Sequence, residues 1–314
     1  MIKTSICELL GIKYPIFQGG MAWIADGRLA GAVSNAGGIG IIAAMNAGTD
    51  YLKEQINIAR KITNKPFGVN IMLMSPHADE ISDIVIEEKI SVIVTGAGNP
   101  SKYMKKWIEA GIKVIPVVPS VSMARLVERS GACAVIAEGG ESGGHVGDLT
   151  TMSLVPQVCD AVNIPVIAAG GIADGRGVCA AFMLGAQGVQ LGTRFLVAKE
   201  CSVHQVYKDK ILKATDISTI TTGKRLGHPV RSLKTPFSKE YFKAEYSSIS
   251  DEDLEAKAVG ALRLAAVAGD EKRGCFLAGQ IAGMITKEQT ADEIISEIFI
   301  ETELILNGVN EWVK

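Results

Sequence analysis

A histidine stands in a glycine-rich segment that directly follows an apolar run. The segment reads AEGGESGGHVGDLTT and places His145 close to two carboxylates, Glu138 and Glu141. An imidazole titrates near neutrality, with an ordinary pKa of ~6.5, so it can donate a proton at physiological pH. The sequence therefore predicts that His145 is a catalytic acid, with Glu138 or Glu141 orienting the ring or raising its pKa. The remaining histidines are expected to be ordinary loop or surface residues: His77, His204 and His228.

Two glycine-rich turns, AAGGIADGRG and QLGTRF, follow the last two apolar runs in the first 200 residues. Glycine lets the backbone approach an anion closely, and backbone N–H groups bind phosphate. Two such turns on neighbouring strands favour a phosphate-bearing cofactor over plain tight turns. The groups that would form this cradle belong to Gly170, Gly171, Gly192 and Thr193.

Polar residues lie at the ends of three apolar runs, where a buried polar side chain is costly unless it meets a partner. Asn70 ends FGVNIML, while Gln18 and Gln190 lie in FQGGM and VQLG. Each amide either pairs with neighbouring backbone or hydrogen-bonds a planar heterocycle at the end of its strand. The residues that would flank such a flat ring are Gly19, Gly20 and Met21.

The elements before these residues must position them. Eight short apolar runs, rich in Val and Ile, alternate with amphipathic segments between residue 14 and about residue 200. Runs that are apolar on both faces are typical of a covered parallel sheet. Eight units at a spacing of ~25 residues predict an α/β fold, a TIM (β/α)8 barrel, with its active site on the loops at the carboxyl ends of the strands. The runs cover 14–20, 38–44, 66–73, 91–98, 113–120, 133–140, 165–171 and 188–195.

A doubly wound sheet is the alternative fold for this pattern. It usually places a phosphate-binding glycine turn after its first strand, whereas here the glycines gather after the sixth, seventh and eighth runs. The barrel is therefore favoured and is predicted to span residues 1–200. A basic insertion or lid is predicted at 201–250, and helices that pack back on the barrel at 251–314.

Composition excludes several functions. A net charge of −2 argues against a chain built to bind nucleic acid, whose phosphates require a basic excess. No apolar run approaches the ~20 residues of a membrane span, and the N-terminus lacks the apolar core of a signal peptide. The six cysteines form no CxxC pair and no zinc-ligand spacing. We therefore expect reduced thiols in a cytoplasmic protein.

Eight motifs follow one another along the chain: FQGGMAW, FGVNIMLMSP, TGAGNPSKY, IPVVPSV, AEGGESGGHVGDLTTMSLVPQV, PVIAAGGIADG, QLGTRF and AGQIAG. In type and order they resemble flavin-dependent enoyl-acyl-carrier-protein reductase II, which belongs to the superfamily that includes nitronate monooxygenase. The resemblance runs from about residue 3 to the C-terminus. The GGH segment, AAGGIADG and QxGTRF are shared across the superfamily, whereas NIMLMSP, GAGNPSKY and GHVGDLTTM resemble the reductase branch.

The resemblance implies FMN, bound without a covalent link at the barrel mouth. Glu138 stands where nitronate monooxygenases typically carry Gln, which favours the reductase branch. Because family members can respond to monovalent cations, the resemblance also allows K⁺ or NH₄⁺ near the loop after the sixth run. The residues it assigns to the isoalloxazine and its surroundings are Gly19, Gly20, Met21 and Asn70, with Glu138 and Gly143 also at the cofactor. Those it assigns to the phosphate end are Gly170, Gly171, Gln190, Gly192 and Thr193.

The implied reaction is the reduction of a trans-2-enoyl thioester carried on acyl carrier protein. In this ping-pong scheme NADH or NADPH reduces the flavin, hydride then reaches the β-carbon, and His145 stabilises the enolate or protonates the α-carbon. Residues 204–239 carry eight Lys or Arg against two Asp, a surplus of six. Such a surplus would steer an acidic carrier protein, and the candidates for this role are Lys224, Arg225, Arg231 and Lys234. The resemblance also implies a homodimer.

Two other functions fit parts of the pattern. A nitronate monooxygenase would use the same FMN with O₂ and a nitronate, with His145 near the nitro group and no need for NAD(P)H. A phosphosugar-binding barrel without flavin, either an isomerase or a regulatory binder, would use the same glycine turns. A flavin chromophore, and its reduction by NADH, distinguish these functions.

Overall fold

The structure, a computed structural model, describes residues 2–44 and 48–312. Residue 1 of the predicted barrel region and residues 313–314 of the predicted C-terminal region lie outside the described residues. The strands in the described part of the chain are, in chain order, β1 (Ile16–Gln18), β2 (Ile41–Ala43), β3 (Gly68–Met72), β4 (Val92–Gly96), β5 (Lys113–Val118), β6 (Val135–Glu138), β7 (Gly144–His145), β8 (Val166–Ala169), β9 (Gly188–Leu191), β10 (Thr219–Thr222) and β11 (Val230–Leu233).

Eight parallel strands form one sheet in the order β1-β9-β8-β6-β5-β4-β3-β2. Its two edges meet where Phe17 of β1 pairs with Ile39, just before β2. The Gln18 N–H also donates to the Ile39 carbonyl, at 2.9 Å. The sheet is thus closed into a barrel, which confirms the predicted (β/α)8 fold and excludes the doubly wound sheet. Each predicted apolar run contains one barrel strand.

Side chains alternate between the inside and the outside of the barrel along each strand. In β6, Ile136 packs into an interior cluster with Phe17 and Val94. Its neighbours Val135 and Ala137 pack into the outer cluster, between the strands and the helices. All of these side chains are buried. Because both faces are covered, the strands read as continuous apolar runs rather than as alternating ones.

Helices follow the strands and cover the barrel from outside. Several begin at a capping side chain: the Asp26 carboxylate accepts the Leu29 N–H, and the Asp174 carboxylate accepts two backbone N–H groups of the next turn. The helices are α1 (Ser5–Leu10), α2 (Gly27–Asn35), α3 (Gly48–Ile62), α4 (Ala78–Glu87), α5 (Ser101–Glu109), α6 (Val121–Arg129), α7 (Thr151–Cys159), α8 (Gly175–Met183), α9 (Thr193–Leu196), α10 (Gln205–Leu212), α11 (Pro236–Glu245), α12 (Asp251–Ala258), α13 (Ala261–Arg263) and α14 (Ala291–Gly308), with a π-helix at Leu264–Ala268 and 3₁₀ turns at Gln280–Met284 and Val309–Trp312.

Within the predicted helical region 251–314, residues 251–268 form three short helical pieces rather than one helix. Helix α12 ends at Ala258, and Gly260 takes a left-handed φ of +75°. Glycine adopts this conformation without the steric penalty of a Cβ, so the chain changes direction there. The short α13 and the π-helix Leu264–Ala268 complete the segment.

Helix α14 packs against α8 and α2 on the outside of the barrel. The Glu301 carboxylate of α14 accepts the Gly175 N–H of α8 at 2.7 Å and so joins α14 to α8. All six cysteines are free thiols. Among the described residues, no helix combines the length and the apolar character needed to cross a bilayer. The divisions at residues 200 and 250 and the homodimer stay predictions.

Ile136→Ala is expected to lower the free energy of unfolding by about 2–5 kcal/mol, because it leaves a cavity among packed barrel-interior side chains. Equilibrium urea denaturation measures the change. Ile300→Ala, at a side chain that is 62% exposed on α14, is the matched control and should cost less than ~0.5 kcal/mol. Equal losses in the two variants would contradict the interior position of Ile136.

Candidate active site

The carboxyl ends of β1, β3 and β9 bring predicted cofactor residues into contact. A Cβ placed on Gly20 would lie 2.4 Å from the Asn70 Cβ, and one placed on Gly19 would lie 3.3 Å from the Gln190 Cδ. Only glycine fits at Gly20, because the clash would involve the rigid start of the Asn70 side chain. The two amides therefore flank a glycine pair at the mouth of the barrel.

Gln190 carries a buried carbonyl oxygen that has no hydrogen-bond partner among the described residues. The residue is 7% exposed, and its Oε1 accepts no hydrogen bond. Such an orphan costs ~1–3 kcal/mol unless a ligand supplies a donor. Gln18 differs, since its Nε2 donates to the Ile41 carbonyl and its Oε1 accepts the Ile41 N–H, both at 3.2 Å. Gln18 is therefore structural, while Gln190 is the amide available to a ligand.

The two predicted phosphate-binding turns start side by side. Strands β8 and β9 pair with Ala169 opposite Gln190, so the turn after each begins at the same level. Gly170 and Gly171 have φ values of +88° and +74°, a region that L side chains rarely adopt. A Cβ on Gly170 would also lie 2.7 Å from the Gly139 carbonyl oxygen. Both conditions require glycine in this turn.

The turn after β9 is held by the C-terminal region. The Thr193 hydroxyl accepts the Gly279 N–H at 2.9 Å, which leaves its own proton to be donated elsewhere. Met21, from the loop after β1, has its Sδ 3.6 Å from the position that a Cβ on Gly192 would take. The structure thus brings Met21, Gly192 and Thr193 to one side of the mouth.

The segment that carries His145 is part of a second, smaller sheet. Strand β7 pairs antiparallel with β11, and β11 pairs with β10. His145 lies opposite Val230, and the next N–H, from Val146, donates to the Pro229 carbonyl at 3.0 Å. The glycines around His145 therefore do not leave it on a free loop, because the chain after residue 200 supplies a strand that holds it.

A second histidine influences the ionisation of His145. Partial desolvation of the ring lowers the pKa of His145 below 6.5, and the positive charge of His228 lowers it further. This shift favours the neutral His145 imidazole, which can donate a hydrogen bond through its single N–H. His228, predicted to be an ordinary loop residue, comes close to His145 because it lies two residues before Val230, the first residue of β11. No local sequence pattern signals such a long-range pairing.

Within the described chain neither nearby carboxylate hydrogen-bonds to His145, so the prediction that one of them orients the ring or raises its pKa is wrong. The Glu141 carboxylate turns to the start of α7 and accepts the Thr151 backbone N–H at 2.9 Å. A helix N-terminus attracts a carboxylate, which explains this choice. The Glu138 carboxylate accepts the Ser142 hydroxyl at 3.3 Å. Burial raises the pKa of Glu138 to about 7.

Gly143 lies against the AGQIAG motif of the C-terminal region. A Cβ on Gly143 would lie 2.6 Å from the backbone of Ala278 and Gly279. The Gln280 N–H donates to the Glu141 carbonyl at 2.9 Å. The motif therefore clamps the segment between β6 and β7, and this packing alone requires glycine at position 143. Contact of Gly143 and Glu138 with a cofactor, and a monovalent cation near this segment, stay predictions.

Two of the four cations predicted to steer a carrier protein are engaged within the chain. Arg231 donates to the Gly140 carbonyl at 2.8 Å and so fixes the same glycine segment. Arg225 pairs with Asp251 at 2.7 Å and also donates to backbone carbonyls after α11. The other two cations of this set, Lys224 and Lys234, are exposed at the surface.

Comparison with known proteins gives relatives of several activities. A Mycobacterium tuberculosis protein named as a hydroxy-methyl-oxo-octahydro-indene-carboxyl-CoA dehydrogenase is 41% identical, over 74% of this chain and 67% of its own length. A probable nitronate monooxygenase of Staphylococcus aureus is 32% identical over 97% of this chain and 98% of its own. The structure of FabK from Thermotoga maritima superposes with a TM-score of 0.96 and 50% identity, covering 100% of both chains.

The closed barrel and these relatives define an oxidoreductase of the (β/α)8-barrel class. Its mouth, where glycine turns face an unpartnered amide, is where such a barrel holds its reactants. The family model described as nitronate monooxygenase matches residues 3–88 and 79–301. The chain belongs to the nitronate monooxygenase family.

Glu138→Gln is expected to change how stability depends on pH. A carboxyl group with a folded pKa of about 7, against 4.5 when unperturbed, binds more protons in the folded state, so stability is lost as the pH rises from 4.5 towards 7. Between pH 5 and pH 8 the wild type should lose about 2 kcal/mol relative to Glu138→Gln. Urea denaturation at the two pH values measures the difference.

The matched control for that measurement is Glu252→Gln, at an exposed carboxylate of α12. This variant should show the same change in stability between the two pH values as the wild type, because the Glu252 side chain lies at the surface, in contact with water. Parallel behaviour of Glu138→Gln and the wild type would contradict a buried, largely protonated Glu138.

Proposed function

We propose that the protein is an enoyl-acyl-carrier-protein reductase that uses NAD(P)H and FMN and acts on a trans-2-enoyl thioester. The observation that carries the proposal is the likeness to FabK, at 50% identity over the whole of both chains. An identity of this size over the full length supports a FabK-type activity rather than the fold alone. The placement of His145 on a strand at the barrel mouth adds a group suited to this reaction.

The residues at the mouth fit FMN. The unpartnered Gln190 Oε1 needs an N–H donor, and the isoalloxazine ring carries one. The glycine turn with φ values of +88° and +74° exposes backbone to a phosphate. Bound FMN would supply the two-electron chemistry that links a nicotinamide to the enoyl group. The residues that would hold the ring are Gly19, Gly20, Met21, Asn70 and Gln190, and those at the phosphate are Gly170, Gly171, Gly192 and Thr193. Gln190, which the resemblance assigns to the phosphate end, is proposed at the ring because its side chain lies against Gly19.

His145 would act on the substrate side. Reduction at the β-carbon of an enoyl thioester places negative charge on the thioester oxygen and the α-carbon. Since the pKa of His145 is lowered, the ring meets that charge at pH 7 as a neutral N–H donor. A donor fixed in advance of the reaction typically contributes ~10²–10³-fold in rate, and the β7–β11 pairing keeps this one fixed.

The substrate class has separate support. The Mycobacterium tuberculosis relative is named for a carboxyl-CoA substrate, which is a thioester. For delivery on acyl carrier protein, Lys224 and Lys234 remain exposed beside the small sheet. Their charge would favour approach of an acidic carrier protein and would be screened by salt.

Nitronate monooxygenation is the second candidate. The Staphylococcus aureus relative, named a probable nitronate monooxygenase, matches 97% of this chain at 32% identity. In that reaction the His145 N–H would lie near a nitro group, and NAD(P)H would not be needed. The lower identity makes this the weaker candidate.

Anaerobic stopped-flow spectroscopy separates the two candidates. For the reductase, NADH or NADPH should bleach the flavin absorbance near ~450 nm, and a crotonyl thioester should restore it. Bleaching by a nitronate but not by NADH or NADPH would overturn the proposal in favour of the monooxygenase. A purified protein that binds no flavin would overturn both.

His145→Ala should retain FMN and its reduction by NADH, while the rate of crotonyl thioester reduction falls about 100-fold, because the donor to the thioester oxygen is lost. Single-turnover kinetics of the two half-reactions measure this separately. His77→Ala, at a histidine that pairs with Glu80 beside α4, is the matched control and should leave both half-reactions unchanged. Wild-type crotonyl reduction in His145→Ala would remove His145 from the mechanism.

A further inference from the structure

A cleft of about 420 Å³ opens at the rim of the barrel, beside the site described above. Its walls include Arg28 and Tyr51, from the first turns of α2 and α3, and Val267 of the π-helix. Because the helices of a barrel begin where the strands end, these turns lie on the same side as the active-site mouth. The volume falls within the ~300–1,000 Å³ of typical small-molecule sites.

Trp23 forms one wall of this cleft with a strained backbone. Its φ of +63° lies in the left-handed region, which is unusual for a bulky side chain. Conformations of this kind persist where the surroundings enforce them and are concentrated at ligand-binding sites. The indole remains 36% exposed at the cleft. An exposed indole offers a face on which a flat ring can stack.

Two guanidinium groups accompany the indole. Arg28 lines the cleft and is exposed, and the Arg263 guanidinium lies 5.4 Å from the centre of the Trp23 ring. Asp26 also lines the cleft, but its carboxylate already accepts the Ser202 hydroxyl at 2.7 Å and caps α2. Arg28 therefore remains for a ligand, while Arg263, which lies over the indole, adds positive charge beside it. Guanidinium groups bind phosphate through paired N–H donors.

The cleft adjoins the active-site mouth through one apolar contact. Tyr51, a cleft residue, and Met21, a mouth residue, both pack against the buried pair formed by Ala25 and Ala43 of β2. Ala43 in turn pairs with Asn70 of β3. A ligand that fills the cleft would therefore extend past Tyr51 and Met21 to reach the mouth.

We propose that this cleft binds an ADP group, with adenine stacked on Trp23, the diphosphate held by Arg28, and the charge of Arg263 beside the ring favouring the anion. The proposal rests on the proposed function, because NAD(P)H and an acyl-CoA thioester each carry an ADP group at the end remote from their reacting atoms. An indole beside two guanidinium groups combines the stacking and the charge that a purine nucleotide requires. The reacting end of either molecule then extends towards the mouth.

Binding of ADP to the FMN-loaded protein tests the proposal without any turnover. Isothermal titration is expected to give a Kd that rises about fivefold to tenfold in Arg28→Ala and in Arg263→Ala, since each removes a positive charge near the diphosphate. Arg129→Ala removes an exposed arginine at the end of α6 and should leave the Kd unchanged. No binding of ADP at millimolar concentration, or an unchanged Kd in both cleft variants, overturns the proposal.

Steady-state kinetics of the same variants identify the source of the ADP group. A higher KM for NADH or NADPH with an unchanged KM for crotonyl-CoA assigns the cleft to the nicotinamide dinucleotide. A higher KM for crotonyl-CoA, with crotonyl-pantetheine unaffected, assigns it to coenzyme A. If neither KM changes, the cleft is not part of the reaction and the proposal is wrong. Failure of the proposed function is distinct, because ADP binding would persist without reduction of any crotonyl thioester.

Discussion

The backbone pairing of Gly144–His145 with Val230–Arg231 is the constraint on which the site depends. A segment with five glycines loses much conformational entropy when it is fixed, so it needs external contacts to hold one arrangement. The β11 strand supplies those contacts on one side, and the backbone of Ala278 and Gly279 supplies them on the other. With both in place, the backbone that carries the His145 imidazole keeps a fixed position.

The two parts of the site are built by different means. At the mouth, closely packed glycines and one unsatisfied amide at Gln190 leave room and an open hydrogen bond for a ligand. Beside the histidine, by contrast, the Glu141 carboxylate is satisfied by a local partner at the start of α7. A rigid scaffold with one open acceptor is the arrangement expected of a preorganised binding site.

The sequence predicts the barrel well because each strand is covered on both faces and therefore reads as an apolar run. It also predicts the glycine turns and Asn70, because a glycine pair or an amide at the end of a buried strand is costly unless the backbone or a ligand requires it. It misses β7, since a two-residue strand has no periodicity, and with it the approach of His228. It wrongly pairs Glu141 with His145 on the ground of their nearness in sequence. In the structure the Glu141 carboxylate binds the N-terminus of α7 instead.

The small sheet joins two stretches of chain that are far apart in sequence, and its hairpin of β10 and β11 lies outside the eight-stranded barrel. Exchange or lengthening of this hairpin can reposition the His145 ring while the barrel strands stay unchanged. Diversification within the family, whose members carry names as different as a monooxygenase and a carboxyl-CoA dehydrogenase, then requires no redesign of the barrel. The position of His145 is thus set by a small sheet that is separate from the eight-stranded barrel.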